Sequence, residues 1–165
     1  MRHRILKIFG IGMLAILCMI MYLPAQSVQA SSLLDTKEQL TEEETTEESS
    51  EDIGYPRTRS NHLNLGNIRI TKEGTNECGI YGLTQAYHEC EMLYLTLYLE
   101  QKNGGSYNTY KTWTFTAMNE SSLSKSFNVL VPKNHYYRVS GYHAAKEGGI
   151  KESTTTLTKG VWIGD

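Results

Sequence analysis

Between residues 92 and 100 the chain alternates without a break: Leu93, Leu95, Leu97 and Leu99 project to one side, and Tyr94, Thr96, Tyr98 and Glu100 to the other. A period of two held over this length predicts a half-buried β-strand with its leucine face inward. Asn103, Gly104 and Gly105 follow, residue types that tolerate positive φ, and residues 107–117 resume in Tyr, Thr, Trp and Phe. That combination predicts a hairpin. The same logic marks residues 66–71, 79–87, 122–131, 136–143 and 152–158, the last continuing into 161–163. Pro132 to Asn134 and residues 146–149 supply breaks. No stretch of this region sustains a helical period. The expected fold is all-β, an antiparallel β-sandwich of about seven strands.

The run VPKNHYYRVSGYHAAKEGGIKESTTTLT, residues 131–158, resembles the last two strands of fibronectin type III and related immunoglobulin-like domains, where a proline-containing turn leads into a strand with a tyrosine corner. The resemblance implies Tyr136 or Tyr137 as the corner tyrosine, Val139 as an inward residue and residues 147–149 as the connecting loop. More broadly, the order LYLEQKNGG, a Trp-bearing strand, then YYRV is similar to small secreted proteins of Gram-positive bacteria grouped only as a domain-of-unknown-function family. That similarity implies secretion and a sandwich fold, and transfers no activity.

The chain's start tells of its destination. Arg2, His3, Arg4 and Lys7 precede an uncharged run over residues 8–23, ended by Pro24. Val28 and Ala30 then place small side chains where a signal peptidase reads them. This is the layout of a secretory signal peptide over residues 1–30, cleaved after Ala30. A retained anchor is the alternative, because the apolar run falls just short of a bilayer span; Pro24 and the cleavage pattern favour removal. The expected location is extracellular, with no stable membrane insertion after cleavage.

Charge divides what remains. Residues 31–60 carry nine acids against three bases, and residues 41–52 offer no large apolar side chain to bury. Nothing then offsets the entropy of ordering them, so 31–60 is expected to be a disordered acidic linker. Residues 61–165, the expected sandwich domain, hold ten Lys or Arg and nine Asp or Glu. Such balance lacks the basic footprint of nucleic-acid binding.

Cys78 and Cys90 remain after cleavage, and an even count in an exported chain suggests a disulfide. If residues 79–87 form one extended strand, however, its ends lie roughly 30 Å apart, whereas a bridge needs Cα atoms within about 7 Å. Either the segment doubles back around Gly82, or the thiols stay unpaired or pair between molecules; the single strand is the favoured reading.

A catalytic set is not legible. The only Asp after residue 60 is Asp165, which leaves a Ser, His, Asp triad without an obvious third member. Glu77, Glu89, Glu91, Glu100, Glu120, Glu147 and Glu152 fall mostly at strand ends and turns, where solvated charges belong. His135 and His143 bracket a strand about 26 Å long, too far apart to share an ion. With His88 they read as surface or hydrogen-bonded histidines, and no metal or other cofactor is expected. Tyr94 and Tyr98 face away from the leucines, and Tyr110 and Trp113 are read as joining them from the next strand. Exposed rings of this kind stack on sugars or anchor a protein partner. The leading expectation is a secreted, non-enzymatic interaction or adhesion module for an extracellular protein or glycan. The alternative is a secreted hydrolase or metal-dependent factor using loop His and Glu residues.

Overall fold

The computed structural model describes residues 42–57 and 59–165. The expected cleavage site at Ala30, the signal segment and residues 31–41 lie outside the described residues. Among the described residues nine strands form: β1 (Ser49–Gly54), β2 (Leu63–Gly74), β3 (Glu77–Cys90), β4 (Met92–Asn103), β5 (Ser106–Ala117), β6 (Glu120–Leu130), β7 (His135–Glu147), β8 (Ile150–Leu157) and β9 (Val161–Ile163). They make two antiparallel sheets, β1-β2-β3-β6 and β5-β4-β7-β8, with β9 continuing the β8 edge along β7.

The leucine ladder of β4 does what its alternation implies. Leu93, Leu95, Leu97 and Leu99 are fully buried, packed in one cluster with Ile68, Ile70 and Ile80 of the facing sheet and with Val139 and Ile163. Each such side chain contributes about 1.5–3 kcal/mol on leaving water. The turns are as short as the glycines allow. Gly104 and Gly105 connect β4 to β5, and Gly148 and Gly149 connect β7 to β8, all at positive φ. Two-residue turns of this hand match the twist of the strands they join.

The acidic stretch departs from expectation. β1 lies inside it and pairs with β2 from Ser49↔Thr71 to Gly54↔Gly66. Its order comes from hydrogen bonds, not from apolar burial, which is why composition missed it. Asp52 Oδ2 accepts the Leu157 N–H at 2.8 Å and Ser50 Oγ accepts the Lys159 N–H at 2.9 Å. These bonds cross to the opposite sheet, so β1 closes one flank between the two sheets and blunts the β8 edge. Upstream, the Thr45 N–H donates to Gly160 O at 2.9 Å and the Gly160 N–H donates to Glu43 O at 2.7 Å. The folded unit therefore begins well before residue 61.

β3 is one continuous strand, with Cys78 near its start and Cys90 at its end. Twelve positions of extended backbone separate the two by about 40 Å. Both are buried free thiols, so the bridge suggested by the even cysteine count does not form within the chain.

Candidate binding surface

Register decides which side chains share the outer face of the β5-β4-β7-β8 sheet. Tyr94, Thr96 and Tyr98 pair with Thr116, Thr114 and Thr112 of β5, and on the other side with Ala144, Tyr142 and Ser140 of β7. Tyr142 and Ala144 pair in turn with Thr155 and Ser153 of β8. The result is a face of three half-buried tyrosines, Tyr94, Tyr98 and Tyr142, set among threonine and serine hydroxyls. Lys151 reaches across it, with Nζ 4.2 Å from the Tyr94 ring centre and 5.4 Å from that of Tyr142. A cation held over two rings is a cation–π contact, made here by the protein's own lysine.

The other end of the same face is closed by the N-terminal segment. Glu44 is buried there, its Oε1 accepting from Lys102 Nζ at 2.9 Å and from Tyr107 Oη at 3.0 Å. Burial and then the bond to Glu44 push the Tyr107 phenol pKa far up. Arg138 stacks 4.0 Å from the Tyr107 ring centre and pairs through Nε with Glu100 at 2.7 Å. The open tyrosine surface thus runs from this clasp to the β7–β8 turn.

Two of the aromatic residues expected on this face lie on the other one. Trp113 pairs with Leu97 and so points inward, where it meets Phe127 edge-on with ring centres 4.9 Å apart. Tyr110 packs against the buried Tyr137, ring centres 6.2 Å apart. For Trp113 the cause is a β-bulge in β5; Tyr110, counted on from the turn, would face the inward Leu99 and so point inward in any case. From Asn103↔Ser106 to Glu100↔Thr109 the pairing follows the tight turn, but Leu99 pairs with Lys111, leaving Tyr110 as the extra residue. A one-residue shift moves every later side chain to the opposite face. Tyr142, which the sequence reading did not single out, takes the vacated place in the aromatic set.

The histidines and carboxylates hold structure together. His143 is fully buried. Thr84 Oγ1 donates to Tyr94 O at 3.0 Å, so it must accept from His143 Nδ1, 3.0 Å away; His143 Nε2 then accepts from Thr156 Oγ1 at 2.8 Å. Burial pushes the His143 pKa down to about 4. Room for the ring exists because Gly66 lies opposite: a Cβ there would fall 2.2 Å from His143 Cδ2. His135 and His143 lie on one strand, β7, and do not converge. Glu152 accepts the backbone N–H groups of Asn61, His62 and Leu63 at 2.9, 2.8 and 2.8 Å, and the Ser60 hydroxyl as well. Glu91 and Glu147 meet, but Glu147 Oε2 accepts the Glu91 N–H at 2.7 Å and Glu91 Oε1 accepts the Gly148 N–H at 3.3 Å. Each carboxylate is committed to the other's turn. Among the described residues no three His, Cys, Asp or Glu side chains are grouped to hold a metal ion.

The model of a family of unknown function, DUF6147, matches residues 38–161. No curated protein and no solved structure matches the chain.

Proposed function

The chain belongs to that family of unknown function, and we propose that it is a secreted, non-enzymatic β-sandwich module that binds an extracellular glycan or protein through the tyrosine face. The observation that carries this reading is the placement of Tyr94, Tyr98 and Tyr142 on one hydroxyl-rich sheet face that, among the described residues, no second sheet packs against. Flat rings flanked by hydroxyl donors and acceptors suit the alternating apolar and polar faces of a sugar. The leader read in residues 1–30 supports export, and the similarity to secreted Gram-positive proteins supports the bacterial surface or medium as its destination. The resemblance to fibronectin type III domains gains support from the order β2-β3-β6 opposite β5-β4-β7-β8. It gains more from the Tyr137 hydroxyl, which donates to Pro132 O five residues upstream at 2.8 Å. The alternative of a hydrolase built on loop His and Glu residues loses ground, since Glu91, Glu147 and Glu152 spend their oxygens on backbone amides.

The test is retention of the protein on immobilised cell-wall polysaccharide, soluble glycans and secreted-protein fractions, with Tyr94→Ala and Tyr98→Ala as comparators. Binding to one fraction, weakened at least tenfold by either substitution, supports the reading. Retention by none, or retention indifferent to both substitutions, overturns it.

A further inference from the structure

His62 and His88 stand where β2 begins and β3 nears its end, at a point where the Tyr87 N–H donates to His62 O at 2.8 Å. His88 is exposed and His62 half-buried. Their rings meet edge to face, with His62 Nδ1 3.0 Å from His88 Nε2. The far side of His88 fixes its tautomer. Nδ1 lies 2.7 Å from Glu89 O, which can only accept, so Nδ1 carries the proton and Nε2 presents a lone pair. A ring N–H given to a backbone carbonyl is the arrangement that orients metal-binding imidazoles.

We infer that His62 Nδ1 and His88 Nε2 form a two-nitrogen site for a late first-row divalent cation, copper(II) foremost, with water filling the other coordination positions. Two nitrogens 3.0 Å apart and each about 2.1 Å from an ion subtend roughly 90° at it. That is the cis angle of square-planar and octahedral complexes and is narrower than a tetrahedral site requires. With the nitrogens kept near that spacing once both rings have turned, the pair suits copper(II) and nickel(II) better than zinc, and copper(II) has the highest affinity of the series. Binding needs the His62 proton to move from Nδ1 to Nε2 through solvent, with no net change in charge, and both rings to turn so their lone pairs converge.

The surroundings hold the two histidines in place. Glu152 holds the backbone of residues 61–63 and so acts as a positioning residue for His62. Cys90 Sγ donates to His88 O at 3.5 Å and so ties down the backbone of the second ligand.

The test is a copper(II) titration of the full chain near neutral pH, followed by calorimetry and electron paramagnetic resonance. Every sample carries His3→Ala, which removes a competing copper-binding histidine from the full chain. One equivalent bound through two imidazole nitrogens is expected, with at least tenfold weaker, one-nitrogen binding in His62→Gln and in His88→Ala. Thermal melts of both variants check that they remain folded; should His88→Ala fail this check, His88→Gln replaces it. Binding and spectra unchanged by both substitutions, or no binding by the parent at micromolar copper, overturn the inference.

Discussion

His143 Nε2 accepts a hydrogen bond from Thr156 Oγ1 at 2.8 Å inside the core, where neither group meets water. A proton on that nitrogen would replace an acceptor with a second donor facing a hydroxyl already in use. With the folded pKa down at about 4 against an ordinary 6.5, the unfolded chain takes up the proton first as pH falls. The stability this neutral ring provides is complete above pH 6.5 and drains away down to about pH 4, by at most about 1.4 kcal/mol per pH unit. Urea midpoints measured across that window should fall steeply for the parent protein. His143→Gln, less stable at neutral pH, should show a much flatter profile over the same range.

Glu44 and Lys102 form a buried ion pair that fastens the segment before β1 to the end of β4. Removing one charge strands the other in a dry setting, which costs about 3–5 kcal/mol, whereas replacing both with apolar groups of similar size is often close to neutral. Denaturant unfolding should therefore show Lys102→Met to be strongly destabilised and Glu44→Leu likewise. The double variant should recover most of the loss. Equal and additive losses would mean that the segment contributes nothing through this pair.

Strand identity was legible wherever alternation met a turn, as in β4 with its four leucines and the Gly104–Gly105 turn. What escaped was information that a single strand does not carry. β1 has no apolar signature, because an edge strand bonded through Asp52 and Ser50 to its neighbours' amides is written in polar residues. The face of Trp113 depends on the extra residue Tyr110 between Leu99 and Glu100 of the partner strand; a register continued from the turn would have put Trp113 opposite Thr96, beside the tyrosines. Glu152 looked like a solvated strand-end charge because the amides it accepts from belong to residues some ninety positions away.

Cys78 and Cys90 should remain two thiols under oxidising conditions. Intact mass after alkylation under denaturing conditions should show both modified without prior reduction. In the native state Cys78 should react far more slowly than an exposed thiol, since burial pushes its pKa up to about 12 and leaves little thiolate at neutral pH. An unalkylated pair that appears only after reduction would contradict the continuous β3 strand.

Glu152 governs a second, more acidic window. Burial alone would raise its pKa, but the hydrogen bonds from Ser60, Asn61, Leu63 and His62 outweigh that and hold it down at about 2, against 4.5 for an ordinary glutamate. Its contribution to stability is complete above pH 4.5 and is lost as pH falls towards about 2, separate from the loss set by His143. Glu152→Gln keeps the shape but exchanges a carboxylate for an amide with one acceptor oxygen, so part of the three-amide clasp must open. A cost of about 1–3 kcal/mol is expected for bonds of this charged kind. The amides of Asn61, His62 and Leu63 should then exchange with solvent deuterium faster than in the parent protein, while those at the centre of β4 keep pace with global unfolding. Unchanged protection at residues 61–63 would show that the loop is held by something other than this carboxylate.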